Sequence, residues 1–443
     1  MKKQEVIKLL SEFIEIESVS SDSLRKKEMK KAVGFLKGLL TEIGCEVKIL
    51  DGDAGPGLVM GIIKVPDAKK TIGIYGHYDV QHEDPVKDWI SVPYRLTRRS
   101  GKLFGRGVAD NKGHVIQNIV AVSELKKQGK LYHNIVFLIE GEEEIGSERF
   151  ESLLKKNSRL LRQIDVFFVT DVNMHAKNVP LLYYALRGLV YFEIDVSIGP
   201  RDLHSGVYGN SVYNPAQLLH ELFFRMKDNK TGKILIPGFY DNVRKINDDE
   251  LKLLGKAAVS DKQIKKETGA NILFQGKYPP YLSPKILPSM DINGVISGHT
   301  GEGPKTIIPH RATAKFSFRL VEHQNPKDIA QKVKKFIHQQ IPKDITCRLH
   351  QLASDSPFYT AIDNEYINKT GKLLSEHFGN KTLYDRAGGS VPAAEILQRN
   401  YGTPIILTGF TLPDDNIHAP NENFDEEMFW SGIEALKKVY NSL

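Results

Sequence analysis

The chain has 443 residues, 41% hydrophobic and 26% charged, with a formal charge of +7; this predicts two ordinary globular domains and excludes long disorder. Its two cysteines, Cys45 and Cys347, form no CxxC pair, which excludes a cysteine zinc site or dithiol redox motif and fits a reducing cytoplasm. No run approaches the roughly 18 apolar residues of a membrane span, and the lysines at 26, 27, 30 and 31 fit a solvated helix face with no groove-reading motif beside it, so neither membrane nor nucleic acid is an expected partner.

An amphipathic helix is predicted near residues 4–17, with Ile7, Leu10 and Ile14 on one stripe; Glu5, Glu12 and Glu15 interrupt any signal-peptide core. A second helix, near 24–43, ends at Gly44, a residue suited to a left-handed cap. The strand-like runs CEVKIL, LVMGIIKV and TIGIYG follow, then a helix near 114–127, the strand NIVFLIE, a further helix and the strand DVFFVT. Short buried runs alternating with helices predict an α/β fold with a mostly parallel central sheet. Beyond Gly188 the pattern changes. LVYFEIDVSI and ATAKFSFRLV alternate with period two, as antiparallel strands covered on one face do, and helices near 213–227 and 326–339 are available as cover. The Gly- and Pro-rich stretch 232–304 predicts long loops. PIILTG returns to the buried-strand type, and a last helix falls near 426–440. One α/β domain, residues 1–187 and 366–443, is therefore expected to be interrupted by an α+β insertion at 188–365.

Metal-binding side chains gather where the strands end. TIGIYG runs into His77-Tyr78-Asp79, NIVFLIE into Gly141 and Glu142-Glu143-Glu144, and DVFFVT into Asp171; PIILTG leads through a loop to His418. Between them GRGVADNKG places Asp110 in a Gly-punctuated loop. Open α/β sheets bind ligands beyond the carboxyl ends of their strands. Singly, each residue reads as a surface histidine, a solvated charge or a helix cap. Together, acidic strand ends on one sheet edge repel one another unless cations compensate, and a histidine–carboxylate set suits zinc or manganese.

HYDVQ, GRGVADNKG, EGEEEIGS, DLHSGVYGN, KTIIPHR with KFSFRLV, GGSVP and NIHAPNE occur in that order across nearly the whole chain. This series resembles the di-metal peptidases and deacylases that include carnosine dipeptidase, aminoacylase, acetylornithine deacetylase and glutamate carboxypeptidase, and it is most similar to the carnosine dipeptidase branch. The resemblance implies two zinc ions per chain, with manganese or cobalt as substitutes. Asp110 would bridge them, His77 and Asp171 would complete one site, and Glu144 and His418 the other. Glu143 would be the general base, and Asp79 would fix the His77 tautomer. Arg319, Thr306 and Ser390 would clamp a substrate carboxylate, and His204 would polarise the scissile carbonyl from a partner chain of a homodimer, the insertion acting as lid and dimerisation domain. The implied reaction is hydrolysis of an amide beside a free carboxylate, as in a dipeptide, with a water between the metals as nucleophile. Asn111 stands where this branch has a second Asp, and His82 where it has Pro.

Two other functions compete with this one. An N-acyl-amino-acid deacylase would use the same centre, and a non-catalytic binding protein could keep the fold, although no ligand and no base is missing. GHTGEGPKT resembles a phosphate loop only superficially, because Pro304 separates Gly303 from Lys305-Thr306 and no GK[ST] remains.

Overall fold

The computed structural model describes residues 1–51, 55–389 and 391–443. The chain forms two compact units. The first comprises Met1–Tyr184, Thr360–Asp385 and the chain from Val391 to Leu443; the second comprises Ala185–Tyr359 with a short segment starting at Arg386.

The first unit is built on a mixed sheet. Strands Asn134–Glu140, Thr71–His77, Val166–Thr170 and Ile405–Thr408 lie side by side and parallel at its centre. Leu58–Ile63, Glu46–Leu50 and Leu181–Leu186 extend it antiparallel at the flanks. The central strands read as continuous apolar runs because both faces are covered; every residue of Val166–Thr170 is buried. Register matters for function. His77 pairs with Glu140, and Tyr75 with Val169, which brings the ends of three strands to one level.

Helix Lys112–Lys127 packs against Thr71–His77 and contacts the helices Lys3–Ile14 and Glu426–Ser442. It is buried almost all round, so its polar side chains need internal partners. Lys112 Nζ donates to the carbonyls of Phe13 and Ile16 at 2.9 and 2.6 Å, and Asn118 donates to Thr170 Oγ1 and accepts from the Tyr440 hydroxyl. The first helix stops at Ile14, short of the expected 17, and buries Val6, Leu10, Phe13 and Ile14 rather than an Ile7 stripe. The second α-helix covers Lys26–Glu42, and Gly44 takes φ +81° as its position requires.

In the second unit Ser289–Ser297, Arg311–Leu320, Gly188–Ser197 and Thr346–Asp355 form, in that order, an antiparallel sheet. Strict alternation along Gly188–Ser197 puts Val190, Phe192, Ile194 and Val196 into a core shared with helices Pro215–Met226 and Pro326–Gln340. The stretch 232–304 is not simply loop. It contains helices Asp248–Lys256 and Asp261–Thr268 and the edge strand Ser289–Ser297. SMDINGVIS hides its strand character: it has one paired edge, a register shift at Ile292/Gly294, and exposed Ile292, Val295 and Ile296.

Candidate metal centre

The parallel register delivers side chains to the carboxyl edge of the first unit's sheet. His77 ends its strand there, Asp171 follows Thr170 directly, and Glu143 and Glu144 lie in a short turn three and four residues beyond Glu140. Two triads result. Ligand-type atoms of His77, Asp110 and Asp171 converge within 4.8 Å of one another, and so do those of Asp110, Glu144 and His418. Asp110 belongs to both. Its Oδ1 lies 3.0 Å from His77 Nε2 and its Oδ2 2.9 Å from His418 Nε2. Asp171 Oδ1 lies 3.5 Å from His77 Nε2, and Glu144 Oε2 3.2 Å from His418 Nε2.

The supporting contacts orient these groups. His77 Nδ1 faces the Asp79 main-chain carbonyl at 3.0 Å, closer than the Asp79 carboxylate at 3.4 Å. The carboxylate itself accepts from the backbone N–H groups of Glu143 and Glu144, at 3.3 and 3.0 Å, and so fixes that turn. With Nδ1–H on the carbonyl, His77 Nε2 is left facing the carboxylates of Asp110 and Asp171. Gln81 Nε2 donates to Glu144 Oε2 at 2.8 Å. Asn111, joined to Asp110 by a cis peptide bond, donates through Nδ2 to the Thr170 carbonyl at 2.7 Å and to Asp171 Oδ1 at 2.6 Å. Both partners are acceptors, so the amide serves where a carboxylate could not donate. His82 lends its main-chain carbonyl to Arg106.

The donor set fits cations. Four carboxylates, Asp110, Glu143, Glu144 and Asp171, crowd two imidazoles, and Glu144 Oε1 is buried with no hydrogen-bond partner among the described residues. Burial, then the neighbouring Asp110 charge, raises the pKa of both Asp171 and Glu144. Burial opposes a charged His77, yet Asp171 and Asp110 hold it well above the ordinary histidine range; bonds to Asp110 and Glu144 raise His418 to about 10. Asp110 is pulled down, against its burial, by His418 and His77. A cation in each triad would relieve this repulsion and occupy the orphaned oxygen. Glu143 differs from the others. Its carboxylate makes no hydrogen bond or ion pair among the described residues, and burial with the surrounding negative charge pushes its pKa well up.

Of the residues expected to bind substrate, His204, Thr306 and Arg319 fall in the second unit. Leu203–His204 pairs with Ile307–Ile308, which sets His204 opposite Ile307 and next to Thr306, whose carbonyl accepts from Ser205 N. His204 is exposed, and its Nδ1 accepts from Gly206 N at 3.0 Å. Arg319 sits half-buried near the end of its strand with no side-chain partner among the described residues. Beside it Arg187 is buried, bonded to Ser289 Oγ at 2.8 Å, with its Nε unpartnered among the described residues; burial and then the Arg319 charge lower its pKa to about 10. Ser390 lies outside the described residues. The roles of Gln81 and Glu422 were missed from sequence, although HYDVQ and NIHAPNE contain both.

Two histidine–carboxylate triads sharing one aspartate, at the carboxyl edge of a mixed α/β sheet, define a dinuclear metallohydrolase. Residues 73–442 match the profile of peptidase family M20/M25/M40, and the chain belongs to that family as a dipeptidase-like metal-dependent hydrolase. It is 28% identical over 461 residues to a Beta-Ala-His dipeptidase from Homo sapiens, covering 99% of this chain and 89% of that protein. It is 30% identical over 463 residues to a Cys-Gly metallodipeptidase from Candida albicans, covering 98% and 93%. Among solved structures, an M20 family metallo-carboxypeptidase from Sulfolobus solfataricus superposes with a TM-score of 0.84 at 29% identity over 100% of both chains.

Proposed function

We propose that this protein is a dipeptidase with two zinc ions per chain, cleaving an amide next to a free carboxylate. The observation that carries this is Asp110, whose two oxygens each face a different histidine nitrogen. His77 and Asp171 would hold one ion, Glu144 and His418 the other, with Asp110 between; manganese or cobalt would suit the same donors. Bound there, the cations would supply an easily deprotonated water and polarise the scissile carbonyl. Glu143 would accept the nucleophile's proton on its free carboxylate and return it to the leaving amine.

Arg319, Thr306 and Ser390 would bind the substrate carboxylate. The unpaired guanidinium of Arg319, with Arg187 beside it, supports an anionic ligand. His204 would donate to the developing oxyanion in a partner chain's site. Its Nδ1 is occupied as an acceptor, so the neutral ring carries its proton on the exposed Nε2. A homodimer is supported by the edge strand Ser289–Ser297, where exposed Ile292 and Val295 line, with exposed Phe224, a cavity of about 570 Å³. The two unbonded cysteines suit a reducing cytoplasm.

The relatives act on dipeptides or, in the Sulfolobus enzyme, as a carboxypeptidase, so chain length and acyl group are the alternatives to separate. The test is turnover of metal-free protein supplied with zinc or manganese. Dipeptides, longer peptides, acetylated amino acids and C-terminally amidated dipeptides form the panel. Metal-dependent cleavage of free dipeptides with poor amidated substrates is expected. Equal turnover of free and amidated dipeptides overturns the clamp, and cleavage of acylated amino acids alone makes the protein a deacylase.

A further inference from the structure

We propose that Arg106 and Glu422 are a positioning pair that sets the second triad against the first and thereby controls its metal occupancy. The inference rests on the two-metal reading. Both side chains are 1% exposed and meet at 2.8 Å between Nη1 and Oε2. Glu422 does more than pair with Arg106. Its Oε2 also accepts from Gly107 N at 3.0 Å, and its Oε1 accepts from Ala109 N at 2.9 Å and Asp110 N at 3.0 Å. One carboxylate therefore gathers the backbone of the loop that presents Asp110. Arg106 reaches the other way: its Nη2 donates to the His82 carbonyl at 3.1 Å, and its guanidinium lies over the Trp89 ring. Gly107, at φ +84°, lets the loop approach closely; a Cβ there would lie 2.5 Å from Val80 Cγ1.

Three segments are thus tied at one point. They are the chain after His77 and Asp79, the loop of Asp110, and the stretch from His418 to Glu422. The triads do not depend equally on that tie. His77 and Asp171 are anchored by sheet ladders independent of it. His418 lies in an irregular loop at φ +61° with a half-exposed ring, four residues before Glu422. Loosening the pair should release His418, and the Asp110 oxygen facing it, before it disturbs His77 and Asp171. Groups that orient ligands without touching the metal typically contribute about 10–100-fold in metal affinity.

The experiment titrates the metal-free full-length protein with cobalt(II), followed by visible absorption and calorimetry. The native protein should take two equivalents. Glu422→Gln, which loses the charge and cannot accept from all four donors, should bind the first equivalent as the native protein does. Its second should be weaker by about 10–100-fold, with kcat restored at high metal concentration and KM unchanged. A purely structural role would not split the two equivalents. Native-like binding of both, or equal weakening of both, overturns the proposal. If Glu422→Gln fails to fold by circular dichroism, Arg106→Lys carries the same expectation, since an ammonium lacks the fork that reaches both Glu422 and His82. Failure of both to fold assigns the pair to the fold itself and also overturns the proposal. Absence of cobalt binding in the native protein would instead refute the two-metal reading.

Discussion

The two triads share Asp110 but are built on different materials. One is set by strands: His77 is wholly buried, and Asp171 follows the ladder residue Thr170. The other is set by turns: Glu144 lies in a single helical turn beyond its strand, and His418 in an irregular loop with a side chain 51% exposed. A sheet fixes a side chain through many cooperative hydrogen bonds, while a loop fixes it through the few contacts its own residues make. The first triad should therefore be rigid and costly to alter. The second should be adjustable and dependent on long-range ties.

The largest expected effect comes from the residue the triads share. Asp110→Ala should bring turnover to background and remove both metal equivalents, as measured by elemental analysis after gel filtration. Retention of one tightly held ion would show that the triads are independent.

Glu143→Gln should separate binding from chemistry. Both metals should stay, while kcat falls about 10²–10⁴-fold, the usual contribution of general acid–base catalysis. Loss of one equivalent would mean that Glu143, and not Glu144, is the ligand.

Stability should distinguish the triads more directly. His77→Ala leaves the Asp79 carbonyl and the Oδ1 of Asp110 without their imidazole partner in a buried site, which costs about 1–3 kcal/mol. His418→Ala, at a half-exposed loop position, should stay within about 0.5 kcal/mol. Urea unfolding of the metal-free proteins gives both numbers, and equal values would abolish the distinction.

A pH-dependent effect concerns the chain leaving the first triad. Burial favours protonation of Glu83, but the Arg25 fork and the Tyr94 hydroxyl hold its pKa down from 4.5 to about 2. A depressed carboxyl contributes stability that is complete above about 4.5 and is lost as pH falls toward about 2. The Glu83 side chain is 13% exposed, and Arg25 also pairs with Glu17 and Asp22, so Glu83→Gln should remove about 1 kcal/mol of acid-sensitive stability. An unchanged slope of unfolding free energy between these pH values would show that the segment is held by other contacts.

Local sequence determined the central strands of the first sheet and the residues that end them. An apolar run with no polar interruption must be buried, and the residue that stops it must lie at a sheet edge; His77 and Asp171 were legible for that reason. Alternation along Gly188–Ser197 likewise specified a sheet with one covered face. The edge strand Ser289–Ser297 was not legible, because a strand with one solvent-facing edge and a register shift imposes little pattern. Nor could sequence show that Asn111 answers the Asp171 carboxylate, that Gln81 holds Glu144, or that Glu422 closes on Gly107 and Asp110 from more than three hundred residues away. Hydrogen bonds are short-ranged and directional, so their partners are chosen only once the chain has brought distant segments within about 3 Å of each other. Sequence thus supplied the histidine and carboxylate side chains and the edge where they gather. The folded chain alone decided which oxygen faces which nitrogen and what holds each in place.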